Sequence, residues 1–364
     1  MNRIVILGAG FAGAYCAQAL ERKLHPASAS ILLLDRNNYF VFHPLLVEAG
    51  AGSLEPRHAV VSIRAFLRST TFRMADVISL DITSRRVVCR VGGEPTTQEI
   101  GYDHLVLALG SITRLPQVPG LARYGLEMKT LADAVQLRDR AIQMLERADA
   151  CDDAVRKRAL LQFVVVGGNF TGVEVAGELQ VLLSQARRHY PRVRPEEIGV
   201  TLVELSERIL SNLDADLAEY AEQQLRRRGI ALKLKTTLTA IEEDKVSFSD
   251  GEMLATHTVI WCAGIQPHPL IAQTGLPTTP QGYLICEPDL RVRGQGNVWA
   301  AGDCASIPDP DGKPYPPTAQ HAVREGAHLA LNYPNASQAQ NAVEVKNALS
   351  ALAGVYGALQ CKTS

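Results

Sequence analysis

No Cys-x-x-Cys pair occurs anywhere in the 364 residues, and the seven cysteines, Cys16, Cys89, Cys151, Cys262, Cys286, Cys304 and Cys361, are widely scattered. An odd, dispersed set of thiols is the pattern of a reducing compartment, where cysteines are packed and mostly inert. It offers neither a metal-ligand cluster nor an iron-sulfur spacing. An excess of one charge is lacking as well: 37 basic against 38 acidic side chains leave a formal charge of −1. With both signs interspersed there is no basic stripe, which argues against a nucleic-acid partner. No window reaches the roughly 18 to 20 uninterrupted apolar residues of a membrane-spanning helix. Residues 1–10 hold one basic side chain and a short apolar run that passes straight into a glycine turn. That is a first strand rather than a signal peptide. His43 and His321 stand alone and read as hydrogen-bonded loop or helix residues, not metal ligands.

What the chain has is a pair of glycine-rich turns, Gly8-Ala9-Gly10-Phe11-Ala12-Gly13 and Gly167-Gly168-Asn169-Phe170-Thr171-Gly172. The first follows a buried-strand run at 4–7. Its glycines permit a tight turn and close approach of the backbone to a pyrophosphate at a helix N-terminus. A second apolar run, 31–34, ends in Asp35, about twenty residues past the turn, where a ribose hydroxyl is bound in such units. The second copy repeats the order: strand run 163–166, turn, amphipathic stretch to Leu183, then 200–203 ending in Glu204. The chain is therefore internally duplicated, and each copy is expected to hold one dinucleotide. Glu204 would accept from the 2′-hydroxyl of NADH and repel the 2′-phosphate of NADPH. Asn169 stands where Gly10 stands in the first copy. It tolerates a left-handed backbone and is expected to bring a side chain toward the pyrophosphate.

Both copies close alike. Short alternating runs at 77–82 and 87–91 precede the apolar run 105–110, and those at 238–241 and 245–248 precede 259–264. The pattern predicts an antiparallel meander laid across each parallel sheet. Residues 116–120 and 266–269 read as the linkers between units, and 308–317 as a loop with helix resuming at Thr318. At this length the chain can bury two sizeable cores. The segment Trp299-Ala300-Ala301-Gly302-Asp303-Cys304 reads as a strand ending in Gly-Asp with a helix start after it. Asp303 could there hold a sugar-alcohol hydroxyl or simply cap the helix.

These features resemble the two-dinucleotide-binding flavoproteins, in which an Ala-Gly-Asp segment returns to the first domain and binds the ribityl chain of FAD. The resemblance implies an α/β fold of two Rossmann-like dinucleotide-binding domains. Residues 1–118 and 289–333 form a discontinuous FAD domain, 119–288 an inserted NADH domain, and 334–364 a short helical tail. It assigns Gly8, Gly10, Gly13, Asp35, Gly302 and Asp303 to FAD, and Gly167, Gly168, Gly172 and Glu204 to the nicotinamide nucleotide. Disulfide reductases of this superfamily carry a redox cysteine pair after the second strand, but residues 38–50 here contain no sulfur. Phe42-His43-Pro44-Leu45-Leu46, the run 171–179 and Pro317-Thr318-Ala319-Gln320 are similar to type II NADH:quinone oxidoreductases over roughly residues 3–333. That family implies transfer of a hydride from NADH to FAD and of two electrons to a quinone, without proton pumping.

The matching residues have a physical reading of their own. A helix starting near Thr318 would aim its positive end and the free N–H groups of Ala319 and Gln320 at the flavin edge, favouring hydride acceptance. Glu174, just inside the helix after the second turn, is expected to position nicotinamide or relay a proton, with Glu178 one turn on as its competitor. The catalytic candidates are thus Glu174 and Gln320. Where the family often has two glutamines beside the quinone pocket, this chain has Arg324 and Glu325, expected to pair with each other across the surface. Family members usually extend further, to an amphipathic membrane anchor. In the tail here, Val345, Leu349, Leu352, Tyr356 and Leu359 make an apolar stripe poor in basic residues, expected to pack on the protein body or a second subunit rather than a membrane. The expected partners are NADH and a quinone, and the expected location is cytoplasmic, with the cytoplasmic face of the inner membrane as the alternative. An NADH-dependent reductase of a ferredoxin or rubredoxin, and a nucleotide-binding regulatory flavoprotein without turnover, remain the rival readings.

Overall fold

The computed structural model describes residues 2–333; the expected tail stripe and Cys361 lie outside the described residues. Two sheets carry the architecture. The first has seven strands in the spatial order Val298–Ala300, His104–Leu107, Asn2–Leu7, Ala29–Asp35, Thr71–Asp81, Arg86–Val91 and Thr97–Gly101. Its first five strands are parallel. The second has five parallel strands in the order Gly125–Glu127, Thr258–Trp261, Gln162–Val166, Gly199–Val203 and Ile230–Lys233. The chain thus leaves the first sheet after His104–Leu107, builds the whole second sheet, and returns with Val298–Ala300.

The strands that open the two turns are central in their sheets and buried on both faces, which explains their unbroken apolar runs. Ile4, Val5, Ile6 and Leu7 have no exposed surface, and neither do Phe163, Val164 and Val165. Each is followed by a crossover helix, Phe11–Lys23 or Phe170–Ala186, that leads to the parallel neighbour.

The two meanders differ. In the second half the strands Leu238–Ile241, Lys245–Phe248 and Met253–Ala255 form a sheet of their own, as expected. In the first half the antiparallel strands extend the parallel sheet itself. Thr71–Asp81 is long enough to pair with Ala29–Asp35 as far as Met74 and with Arg86–Val91 from Ala75 onward.

The two crossings between sheets run side by side, Ser111–Thr113 antiparallel to Ile265–Pro267. Just past the second crossing, Leu270, Ile271, Leu276, Leu284 and Cys286 already pack into the first core with Leu7, Leu107 and Trp299. The helix expected after Gly302-Asp303 is not there. Ala305–Ser306 instead pairs as a short strand with Leu284–Ile285, and the backbone of 304–306 accepts the N–H groups of Leu284 and Cys286. Asp303 therefore caps no helix. The last described helix, Ala319–Asn332, lies on Phe11–Lys23 so closely that a Cβ on Gly326 would stand 2.2 Å from the Ala12 carbonyl oxygen.

Candidate functional site

The duplication holds down to single hydrogen bonds. Gly8 and Gly167 both have left-handed φ, +98° and +111°. Each donates its N–H to the strand beside it, Gly8 to Leu34 O and Gly167 to Val203 O, both at 2.8 Å. A Cβ on Gly13 would lie 1.8 Å from Gly8 O, and one on Gly172 would lie 1.8 Å from Gly167 O, so each helix start is pressed against its own turn. The two carboxylates occupy equivalent places. Asp35 accepts the N–H groups of Ala9 at 2.7 Å and Asn37 at 2.8 Å. Glu204 accepts those of Gly168 at 2.5 Å and Ser206 at 2.7 Å. Burial pushes the Asp35 carboxyl above its ordinary range, opposed by those two N–H bonds and by Arg36.

The middle position separates the copies, though not as expected. A Cβ on Gly10 would meet nothing within 4 Å, so the space over the first turn is open. Asn169 is neither left-handed nor aimed over the second turn. Its backbone is extended, φ −81° and ψ 179°; its Oδ1 accepts the Gly172 N–H at 3.0 Å, and its Nδ2 donates to Cys262 O at 2.7 Å. The side chain is spent as a helix cap and on Cys262 O.

A cavity of about 830 Å³ opens where the halves face each other. Gly8, Gly10, Asp35, Gly302, Asp303, Ala319 and Glu174 all line it, as do Phe170 and Thr171 from the second turn. Gly13 and Gly172 serve the packing just described, while Gly167, Gly168 and Glu204 form the second turn beside the cavity. Gln320 is exposed and not part of the wall. No cysteine lines the cavity; of the described ones, Cys16, Cys89, Cys286 and Cys304 are fully buried.

Reasoning from sequence missed a polar chain on the cavity floor. Ser111 donates to Asp303 at 2.8 Å, and Lys129 Nζ donates to Ser111 Oγ at 2.9 Å and stands 3.9 Å from Asp303. Burial holds the Lys129 ammonium below its ordinary range, and Asp303 opposes that. A sequence signal for Lys129 did exist: Thr130 and Asp133 form a capping box at the start of Leu131–Asp149. The Asp133 carboxylate also accepts the Lys129 N–H at 3.0 Å, which fixes the lysine at the rim. His43 faces the same floor. Desolvation on its cavity side, reinforced by Lys129 and opposed by Asp303, holds its imidazole below the ordinary range, although the residue as a whole stays exposed.

On the opposite wall Glu174 stays exposed to solvent, yet partial desolvation raises its carboxyl and the charge of Glu48 raises it further. Thr318 caps Ala319–Asn332 by accepting the His321 N–H at 3.3 Å, and Thr318 and Ala319 line the cavity. The helix start thus points at the cavity with its first N–H groups lacking intrahelical partners. The expected Arg324–Glu325 surface pair does not form. Arg324 is exposed, whereas Glu325 turns inward and accepts the Gly302 N–H at 2.6 Å. Consecutive helical residues do not face each other, so the two side chains leave the helix on different sides. Burial raises the Glu325 carboxyl, the Gly302 N–H lowers it, and Asp303 raises it again.

The fold and site define an α/β protein of two parallel sheets, each with a glycine-rich strand-to-helix turn, the two turns opening on one cavity. Residues 2–326 match the family described as pyridine nucleotide-disulphide oxidoreductase, and the chain belongs to that family. It is 30 % identical to a probable NADH dehydrogenase of Dictyostelium discoideum, over 92 % of this chain and 74 % of that protein. It is 31 % identical to the demethylphylloquinone reductase NdbB of a Synechocystis strain, over 91 % and 78 %. Among solved structures it resembles NDH2 of Plasmodium falciparum in complex with NADH, with a TM-score of 0.83 at 20 % identity, over 92 % of this chain and 83 % of that one. No helix among the described residues is long and apolar enough to cross a membrane, and no group of side chains among them could hold a metal ion.

Proposed function

We propose that the chain is an FAD-dependent NADH:quinone oxidoreductase. The observation that carries this reading is one cavity, with no cysteine in its lining, on which both turns open. FAD fits the first turn: open space over Gly10, a carboxylate at Asp35 tied beneath the turn, and Asp303 held by Ser111 on the cavity floor. In this reading Gly8, Gly10, Gly13, Asp35, Gly302, Asp303 and Ala319 hold FAD, and Gly167, Gly168, Gly172 and Glu204 hold NADH. The FAD domain takes residues 1–118 and the returning chain, which resumes near 265 rather than at the expected 289 because Leu270 to Cys286 already pack into the first core, and the stretch between them is the inserted NADH domain. Bound FAD would supply the two-electron chemistry, accepting a hydride from NADH and passing the electrons to the quinone.

The chain's own residues divide the remaining work. The helix start at Ala319 and Gln320 places N–H groups and the positive end of the dipole where negative charge develops. Lys129 adds a cation on the same floor. Glu174 keeps its carboxyl where the second turn meets the cavity, placed to position nicotinamide or carry a proton. The demethylphylloquinone reductase and the probable NADH dehydrogenase among the relatives support quinone as the acceptor and NADH as the donor. A cytoplasmic setting, with peripheral contact where the quinone is membrane-held, belongs to the same proposal.

The test is anaerobic. Purified protein is expected to be yellow with bound FAD, to bleach on addition of NADH, and to recover its colour with a soluble quinone. Flavin that stays oxidised in excess NADH refutes the reading. Recovery only with an iron-sulfur protein, and with strong salt dependence, would transfer it to the ferredoxin-type rival.

A further inference from the structure

The main cavity runs across the strand ends of the first sheet. Val298–Ala300, which leads to Asp303, lies on one side of Asn2–Leu7, and Ala29–Asp35 followed by Thr71–Asp81 lies on the other. Gly8 and Gly10 stand between, so the cavity passes from Asp303 over the first turn to Asp35 and on to the middle of Thr71–Asp81. Asp35 pairs in register with Met74, which sets Ala75, Asp76 and Val77 just past the carboxylate. A dinucleotide with its sugar alcohol at Asp303 and its ribose at Asp35 therefore has its base at that end. Arg36, Ala75, Asp76, Val77, His268 and Leu270 form the walls there. His268 is the one polar side chain among them that comes from far along the chain, directly after the crossing strand Ile265–Pro267.

The ring of His268 is fixed before anything binds. Pro269 confines the residue preceding it to extended backbone, and His268 has φ −58° and ψ 135°. Its Nδ1 accepts the Leu270 N–H at 3.3 Å and so caps the short helical turn Pro269–Gln273, which packs on Thr71–Asp81. Burial and the charge of Arg36 hold the imidazole below its ordinary range, opposed by Asp76. A neutral ring that accepts at Nδ1 carries its proton on Nε2, which leaves that N–H to donate elsewhere. We propose that His268 binds the adenine of FAD, its ring closing the base end of the cavity and its Nε2–H donating to a ring nitrogen of the base. The inference rests on the FAD reading of the first turn. Adenine suits these walls: its flat faces match Ala75, Val77 and Leu270, and its ring nitrogens are acceptors. Because the imidazole is already held, the bond forms with little further loss of freedom.

The experiment uses the FAD-loaded protein and two variants. His268→Ala removes ring and cap together, whereas His268→Asn keeps a capping oxygen for the Leu270 N–H but withdraws the ring from the cavity. Release of FAD on dilution, followed by the rise of free-flavin fluorescence, is expected to be about tenfold faster in both variants, the equivalent of one hydrogen bond with its packing. The NADH concentration that bleaches the flavin to half is expected to stay unchanged, since the second turn is untouched. Release from His268→Asn at the parent rate overturns the proposal, because the ring would then serve only as a cap. A half-bleaching concentration that rises as far as release accelerates overturns it too, since the substitution would then have loosened the protein at large. A parent protein that takes up no FAD sinks instead the functional reading beneath the proposal.

Discussion

The duplication can be tested with one methyl group placed twice. An alanine at Gly13 or Gly172 would set its Cβ 1.8 Å from the carbonyl oxygen of Gly8 or Gly167. A carbon resting on an oxygen needs roughly 3.3 Å, so either helix start must withdraw from its turn by about 1.5 Å, the difference between that separation and the one observed. The obstacle is backbone in both cases, and close-packed interiors yield little. Overpacking of this kind costs about 1–3 kcal/mol, and at about 1.4 kcal/mol per factor of ten in affinity the expected loss of dinucleotide binding is roughly 10- to 100-fold. The consequences should separate. Gly13→Ala is expected to purify with depleted FAD, measured by flavin absorbance against protein. Gly172→Ala should keep its full FAD content and need roughly 10- to 100-fold more NADH to bleach it to half. A Gly172→Ala protein that binds NADH like its parent refutes the packing argument, and one that loses FAD as Gly13→Ala does refutes the division of labour between the turns.

Other perturbations probe the remaining walls. Asp303→Asn leaves Lys129 without its neighbouring carboxylate and is expected to weaken FAD by about 1.5–3 kcal/mol, the range of a hydrogen bond to a charged group, read as faster flavin release on dialysis. Glu325→Gln keeps an acceptor for the Gly302 N–H without a charge to bury. Because the folded protein raises the Glu325 carboxyl above its ordinary range, its stabilising share is present when it is protonated and fades as pH rises through the folded-state value. The variant should therefore melt higher than the parent at pH 8, by roughly 2–4 °C per kcal/mol recovered, with the gap closing toward pH 4; a gap that is flat with pH counts against the assignment. Glu204→Ser is expected to bring the KM for NADPH toward that for NADH by about tenfold or more, and unaltered discrimination would remove Glu204 from the ribose site. Glu174→Gln is expected to lower quinone turnover more than Glu178→Gln, since Glu174 lines the main cavity and Glu178 does not; the opposite order in steady-state assays reverses the choice between them.

What could be read from the chain was local and periodic. Strand, glycine turn, helix, strand and acid follow one another within a few dozen residues, and both copies fold in that order. The Thr318 cap was legible for the same reason, being a short polar residue before an apolar helical pattern. What was not legible depends on segments far apart in sequence. Ser111 and Asp303 are 192 residues apart, and Gly302 finds its acceptor in Glu325 on another element. The misread helix after Gly302 belongs here too, because its backbone is claimed by Leu284–Ile285, a strand of two residues that no periodicity marks. Arg324 and Glu325 are illegible for a different reason: neighbours in sequence are not neighbours in space on a helix.

The differences between the two turns are themselves coupled to their carboxylates. Asp35 reaches Ala9 with one methylene, and an alanine fits there. Glu204 has one methylene more, and its stem folds under the second turn, where a Cβ on residue 168 would stand 2.9 Å from Glu204 Cγ and 3.0 Å from its Cβ. The longer acid therefore requires Gly168, and the pair Asp35 with Ala9 corresponds to the pair Glu204 with Gly168. In both pairs each carboxylate oxygen is already given one N–H, which leaves one acceptor site on each oxygen. Two such sites suit a vicinal diol, which has two hydroxyls to donate, and repel a phosphate ester, which has only charge to offer. The same backbone bonds that hold each acid in place thus restrict what it can accept, and on the proposed function this favours unphosphorylated ribose at both turns.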